Sequence, residues 1–394
     1  MATEQLATKE AQRGITRREF TGLLIATLVL GGVSWKGYGS MKKPMDYKFA
    51  NNELRYEVTT FDGVNQPSII ENKSLEIIGA PPVDDNQLVT VRRELSNSQL
   101  LEKSGEMGSS IEFAILNHEN SANNGAIVYN MGVGGDFHHP VGAREAEVLA
   151  FANPDKHILI INNTGSGRSS LIPRDMMEQM KRDGIYEPQG KWMLEILEKQ
   201  LKQYGDKVEL WGHSAGARVA MGMAAAFGTA GQNVANLRVV DPPSAVDRTP
   251  LGIQMRFVSQ IIAMQRYSAS PYNETSELDA QTANLFKAEG AFGDNMWNYP
   301  LVMRHAEGLA TDLYGATGAV RNDLTIIQPE FSEFASPNCM HELIARVAMD
   351  ANWDSILRPE ILRHVVVEGH SHAILSAPAG ARPQITLYEI AKND

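Results

Sequence analysis

Ser214 stands between two glycines, in a Gly-x-Ser-x-Gly motif that covers residues 212–216. An apolar run at residues 208–211 precedes the motif, and an Ala- and Met-rich stretch from Arg218 onward follows it. This order predicts a strand, a tight turn and a helix. In such a turn only glycine fits beside the serine, and the hydroxyl projects from the carboxyl edge of the sheet. The pattern therefore predicts that Ser214 is a nucleophile.

A nucleophilic serine needs a base, and two histidines follow the last apolar run of the chain, at residues 364–367. A neutral imidazole on the loop after that run could reach back over the sheet edge and accept the serine proton. We expect His370 to be this base. His372, two residues further along the same loop, is the alternative.

The imidazole in turn needs a carboxylate to orient it. Glu333 is the first choice, because it lies on the loop that follows the apolar run at residues 324–327. Glu330 lies on the same loop and is an alternative. Asp241, directly after the run at residues 237–240, is another. The order nucleophile, acid, base along the chain is one of the orders in which serine hydrolases carry these three residues.

An oxyanion that forms on the substrate would need backbone N–H donors. The residue after the nucleophile, Ala215, supplies one such group. The second is expected in the glycine-rich segment 130–135, which follows the apolar run at residues 126–129. Val133 is the predicted donor and Gly132 the alternate, since glycines let the backbone approach a ligand closely.

These side chains require a sheet that brings strand ends together. Near-continuous apolar runs alternate with helix-like stretches, including residues 191–204, whose apolar positions recur at helical spacing. This alternation predicts an α/β fold, a mostly parallel central sheet with helices on both faces. The runs are at residues 126–129, 157–161, 208–211, 237–240, 324–327 and 364–367.

Four parts of the chain can be separated by pattern. Residues 1–45 are predicted to be a targeting or anchor segment with a linker. Residues 46–249 and 322–394 form the core, with further strands expected at 75–78, 88–91 and 111–116 in an N-terminal extension. Residues 250–321 contain no convincing strand and several helix-like pieces. They are predicted to be an inserted helical cap.

Composition excludes some functions. The formal net charge is −11, and no Lys/Arg cluster follows the first fifty residues, which argues against nucleic acid as a partner. The single cysteine, Cys339, permits neither an internal disulfide nor a zinc site built from cysteine pairs. The pair His138 and His139 lacks the spacing of a known metal motif and is expected to lie on a loop. We expect neither a metal nor an organic cofactor.

The N-terminus has the character of an export signal. Residues 16–20 read Thr-Arg-Arg-Glu-Phe and precede an uncharged, mostly apolar run at residues 21–35. The paired arginines before Phe20 resemble a twin-arginine signal. The run is slightly shorter than the about 17–25 residues of a spanning helix. We therefore expect export, with the segment either cleaved or retained as an N-terminal membrane anchor.

From about residue 125 to its end, the chain resembles the α/β-hydrolase superfamily. Besides the serine motif, residues 163–170 resemble the family's Gly-x-Gly-x-Ser loop. Two departures stand out: Met131 precedes Gly132 where the family usually has histidine, and the family's acid is usually aspartate. The resemblance implies an active site at the carboxyl ends of the strands and acyl transfer to water.

The expected activity is hydrolysis of a carboxylic ester of a small or medium apolar substrate, through an acyl-enzyme on Ser214. A serine nucleophile disfavours dehalogenase and epoxide-hydrolase chemistry, which use aspartate. A peptidase or an acyltransferase with the same triad is the alternative within enzymes. A non-catalytic ligand-binding homologue is the alternative outside them. The sequence does not indicate an oligomeric state.

Overall fold

The computed structural model describes most of the chain between residues 53 and 372. The described residues are 53–61, 68–76, 85–104, 108–119, 124–132, 135–138, 140–249, 252–253, 256, 294–349, 361–368 and 372. The predicted targeting segment 1–45 lies outside these ranges, as do Val133, His139 and His370.

A mostly parallel sheet forms the centre of the molecule. In the described ranges its strands follow the order β2-β1-β10-β9-β8-β7-β5-β6-β4-β3. The six strands from β5 to β10 run parallel to one another, whereas β1, β2, β3 and β4 add antiparallel strands at the two edges. The strands are β1 (Glu53–Thr60), β2 (Ser68–Glu76), β3 (Gln99–Glu102), β4 (Ser110–Leu116), β5 (Ala126–Asn130), β6 (His157–Ile161), β7 (Val208–His213), β8 (Val234–Val240), β9 (Val320–Pro329) and β10 (Leu362–Val367).

Helices cover both faces of this sheet. One apolar core lies under the α3, α4, α5, α7 and α8 helices, and a second lies under α1 and α2. The predicted α/β architecture is therefore confirmed. The helices are α1 (Asp85–Ser96), α2 (Pro140–Ala152), α3 (Arg174–Asp183), α4 (Glu187–Leu201), α5 (Ala215–Thr229), α6 (Asp294–Val302), α7 (Ala306–Ala319) and α8 (Pro337–Met349). None of the helices in the described part of the chain is both long and apolar enough to cross a membrane.

The central strands form where continuous apolar runs occur, because a parallel strand is buried on both faces. Every residue of β5, β6 and β7 is buried. All six predicted runs fall within strands, from β5 to β10. The predicted helix at 191–204 corresponds to α4, which begins four residues earlier and ends at Leu201.

The N-terminal extension folds differently from the prediction. Residues 88–91, predicted as a strand, lie inside α1. The apolar run is only four residues long, and so short a run does not distinguish a strand from a buried helix turn. The run at 111–116 does form a strand, β4. The hairpin of β1 and β2 pairs antiparallel with β10 and extends the sheet beyond its parallel part.

The C-terminal part of the predicted cap belongs to the core. Residues 306–319 form α7, which leads directly into β9 and packs against α5. A buried ion pair joins the two helices, since Arg218 Nη2 lies 2.6 Å from Asp312 Oδ2. Residues 257–293 lie outside the described part of the chain, so the cap stays a prediction there.

Candidate active site

Ser214 occupies the turn between β7 and α5, and its backbone is strained. Its φ of 56° and ψ of −126° lie in a region that a residue with a side chain rarely adopts. A Cβ on Gly212 would collide with the Gly216 carbonyl group, and one on Gly216 would collide with the carbonyl oxygens of Asn130 and Met131. The two glycines of the motif are therefore required by space. The strand–turn–helix geometry predicted from the sequence is present.

A chain of two hydrogen bonds starts at the Ser214 hydroxyl. Its Oγ lies 2.8 Å from Nε2 of His372, and Nδ1 of His372 lies 2.7 Å from Oδ2 of Asp241. Ser214 is 5% exposed, and His372 and Asp241 are fully buried. Against an ionised Asp241, Nδ1 must carry the imidazole proton, which leaves Nε2 to accept the serine hydroxyl. This is the arrangement that activates a serine nucleophile.

The sheet register explains why Asp241 reaches this position. β7 and β8 are neighbours, and His213 is paired with Val240. Ser214 and Asp241 are thus each the first residue beyond two adjacent strand ends. Asp241 adopts a left-handed φ of 46°, and its N–H donates to the carbonyl of Ile327. The structure therefore places one of the alternative carboxylates beside His372.

Glu333, the first choice for the orienting carboxylate, occupies a different position. Its Oε2 accepts a hydrogen bond from the backbone N–H of His372, at 3.1 Å, whereas the imidazole Nδ1 is bonded to Asp241. Asp241 therefore holds the position at the imidazole Nδ1 for which Glu333 is the first choice from the sequence. Glu330 is exposed on the loop after β9. His370, the first choice for the base, lies outside the described residues.

Ser332 extends the hydrogen-bond chain behind Asp241. Its hydroxyl donates to Oδ1 of Asp241 at 2.9 Å and accepts the N–H of Phe334 at 3.2 Å. Both carboxylate oxygens of Asp241 are therefore hydrogen-bonded. No sequence pattern singled out Ser332, because its role depends on the way the loop after β9 folds back over the end of β8.

Burial shapes the proton affinities of this site. It lowers the pKa of His372 to about 4, an effect that the negative charge of Glu333 opposes. It raises the pKa of Asp241, and the hydrogen bond from Ser332 opposes that rise. The contact with the imidazole N–H also favours ionised Asp241. His372 is thus neutral at neutral pH, as a base that accepts a serine proton must be.

The segment after β5 lies beside the nucleophile. A Cβ on Gly132 would lie 3.4 Å from Cβ of Ser214, so the Gly132 backbone is close to the Ser214 side chain. The carbonyl of Met131 accepts a hydrogen bond from Nδ2 of Asn163 at 3.1 Å, which anchors this segment to the loop after β6. Ala215 is the first residue of α5, where backbone N–H groups have no partner within the helix. Val133 lies outside the described residues.

The loop at residues 163–170 is held by buried polar side chains. Arg168 Nε lies 2.6 Å from Oε1 of Glu112, a carboxylate that is fully buried in β4. His138 Nε2 lies 2.7 Å from the same oxygen. Glu112 thereby joins this loop to the segment that follows Gly132. His138 is a loop residue in contact with a carboxylate, and no sequence pattern indicates Glu112 as its partner.

No family model and no curated protein matches this chain. Solved structures with a similar chain path include an esterase from Pyrococcus furiosus, with 11% identity, a TM-score of 0.44, and coverage of 76% of this chain and 92% of that one. Another is an esterase from Thermogutta terrifontis, with 16% identity, a TM-score of 0.42, and coverage of 75% and 98%. A third is a monoacylglycerol lipase from Paleococcus ferrophilus, with 13% identity, a TM-score of 0.44, and coverage of 71% and 96%. At these values the likeness says nothing about the substrate or mechanism of this chain.

Proposed function

We propose that this chain is a serine hydrolase that cleaves carboxylic esters through an acyl-enzyme on Ser214. The observation that carries the proposal is the continuous chain from Ser214 Oγ to His372 Nε2, at 2.8 Å, and from His372 Nδ1 to Asp241, at 2.7 Å. A serine without such a base is a poor nucleophile at neutral pH. The triad of this proposal is therefore Ser214, His372 and Asp241.

In the proposed reaction, Ser214 Oγ attacks the ester carbonyl carbon while His372 Nε2 takes its proton. The carbonyl oxygen becomes an oxyanion, held by the N–H of Ala215 and by a second N–H from the segment after β5, at Val133 or Gly132. His372 then returns the proton to the leaving alcohol oxygen, and the acyl-enzyme remains. Water then attacks the acyl carbon while His372 takes its proton. His372 passes this proton to Ser214 Oγ as the bond between Oγ and the acyl carbon breaks, which releases the carboxylic acid and restores Ser214. No step needs a metal or an organic cofactor.

The backbone of Ser214 favours catalysis over ligand binding. Its positive φ costs roughly 1–3 kcal/mol, a cost that recurs at functional sites where a reactive group must be presented. A binding protein gains nothing from a strained serine with a buried base behind it. The ligand-binding alternative is therefore the weaker one. Peptidase and acyltransferase chemistry would use the same three side chains and differ only in the acceptor or the leaving group.

Hydrolysis of nitrophenyl esters of graded acyl length tests the proposal directly. We expect the wild type to hydrolyse at least one of them, with a preference for short or medium apolar acyl groups. The Ser214→Ala variant should lose this activity, because the nucleophile is removed while the pocket remains. Ser166→Ala, which changes a buried serine in the loop after β6, is the matched control and should stay active. Equal activity in the wild type and Ser214→Ala would contradict the proposal.

A further inference from the structure

His372 is held by its main chain as well as by its imidazole. Its backbone N–H donates to Oε2 of Glu333 at 3.1 Å, and its carbonyl oxygen lies 3.0 Å from Nε2 of His213. These two partners come from different elements, the loop after β9 and the last residue of β7. The serine–histidine–aspartate reaction scheme requires neither contact. Both nevertheless fix the residue whose imidazole must span Ser214 and Asp241.

His213 is suited to be a permanent donor. A carbonyl oxygen can only accept, so Nε2 of His213 must carry a proton. The side chain is 2% exposed, and burial, together with the smaller effect of the His372 charge, lowers its pKa to about 3. The ring is therefore neutral while His372 cycles through its protonated form. Because His213 directly precedes Ser214, it ties the base to the turn that carries the nucleophile.

Glu333 adds a charge to the same place. Burial raises the pKa of Glu333, and its attraction to His372 and its hydrogen bond with the His372 N–H oppose that rise. Within the described residues, three titratable groups thus face His372: Asp241 at Nδ1, Glu333 at the backbone N–H and His213 at the carbonyl. The charge of Glu333 favours the imidazolium form that arises when the serine proton is transferred.

We propose that Glu333 and His213 are positioning residues which clamp the main chain of His372, and that Glu333 also stabilises its imidazolium form. The inference rests on the proposed function, since it concerns the base of that reaction. It assigns to Glu333 a role other than orienting the imidazole. It also gives a reason for a histidine at position 213, directly before the proposed nucleophile.

Paired variants separate the hydrogen bonds from the charge. Glu333→Ala removes both the acceptor and the charge, whereas Glu333→Gln keeps an acceptor oxygen without the charge. His213→Leu removes the donor, whereas His213→Gln keeps a side-chain N–H. We expect Glu333→Ala and His213→Leu to lower kcat by about 10- to 100-fold with little change in KM, as loss of one buried hydrogen bond implies. The glutamine variants should recover much of that loss.

The pH profile supplies a readout that packing alone would not move. Without the charge of Glu333 the imidazolium form of His372 is less favourable, so the acid limb of kcat/KM should move to lower pH in Glu333→Gln. Glu330→Gln, an exposed carboxylate on the same loop, is the matched control and should leave the limb in place. His364→Leu, a buried histidine on β10, controls for the loss of a buried imidazole. If an alanine or leucine variant does not fold, the kinetics and pH profiles of the two glutamine variants test the inference instead.

The outcomes separate this inference from the function beneath it. An active wild type whose Glu333 and His213 variants keep both kcat and the acid limb would overturn the clamp alone. A wild type that neither hydrolyses esters nor reacts with a fluorophosphonate would overturn the proposed function and the clamp with it. A shifted limb in Glu333→Gln, absent in Glu330→Gln, is the result that the clamp predicts.

Discussion

Asp241 is buried against Nδ1 of His372, and its role can be tested at the level of one atom. Asp241→Asn keeps the size of the side chain but removes the negative charge and offers an N–H to Nδ1. His372 would then be held in the wrong tautomer, with its proton on Nε2. We expect kcat to fall by about 1,000- to 10,000-fold, as for such replacements in other serine enzymes.

The matched control for Asp241→Asn is Glu330→Gln, which neutralises an exposed carboxylate and should leave kcat unchanged. Steady-state kinetics on the preferred nitrophenyl ester measures both variants. If Asp241→Asn retained wild-type kcat, Asp241 would have to be removed from the proposed triad.

The pH dependence of kcat/KM follows from the burial of His372. The base must be neutral in the free enzyme, so activity falls when pH drops below its pKa. Burial lowers that pKa to about 4, from an ordinary value of 6.5. The acid limb of kcat/KM should therefore have its midpoint below pH 6.5. A midpoint at or above pH 6.5 would show that the imidazole is not desolvated as the structure places it.

The sequence alone predicts some residues of the candidate site but does not distinguish among others. Ser214 could be predicted, because its flanking glycines and the strand before it form a local pattern. The choice between His370 and His372, and between Glu333 and Asp241, depends on how two loops fold over a sheet edge. Asp241 did carry a signal, since it directly follows a strand as Ser214 does. That signal becomes decisive only once β7 and β8 are known to be neighbours.

The helix α5 approaches the end of β5 closely at Gly216, directly after the turn that carries Ser214. A Cβ on Gly216 would meet the backbone oxygens of Asn130 and Met131, which cannot rotate away. We expect Gly216→Ala to abolish most activity and to lower the free energy of unfolding by about 1–3 kcal/mol, as overpacking does. Urea denaturation and ester hydrolysis measure the two effects.

Gly228→Ala, near the other end of α5, is the control for Gly216→Ala. Its added Cβ would lie 3.2 Å from the side chain of Ala319, a tight contact that a small shift relieves. This variant should keep most of its activity and stability. Comparable losses in both variants would mean that α5 tolerates alanine poorly throughout, rather than at the turn.

Element prediction succeeded where burial left a strong pattern. The runs that became β5, β6 and β7 are mostly apolar because both faces of those strands are covered. The strand prediction for residues 88–91 was wrong, since a run of four mostly apolar residues fits a helix turn as well as a strand. The sequence pattern places residues 306–319 in a cap, because the pattern contains no information on the packing of α7 against α5.

The predicted export signal would determine the cell compartment in which this protein acts. We expect replacement of Arg17 and Arg18 by lysine to block export, because a twin-arginine signal is read through that pair. Fractionation of cells that produce the wild type and the double variant, followed by immunoblotting, measures this. Replacement of Lys42 and Lys43 by arginine, also in the segment 1–45, is the control. Unchanged export of the double variant would refute the twin-arginine interpretation.

The central claim is that Ser214 is a nucleophile activated by His372, and covalent labelling tests it most directly. A fluorophosphonate reacts with an activated serine, and mass spectrometry of the digested protein identifies the modified residue. The account predicts one adduct on Ser214 in the wild type, none in Ser214→Ala, and slow labelling in His372→Ala. Full labelling of Ser214→Ala, or an unlabelled wild type that is folded, would contradict it.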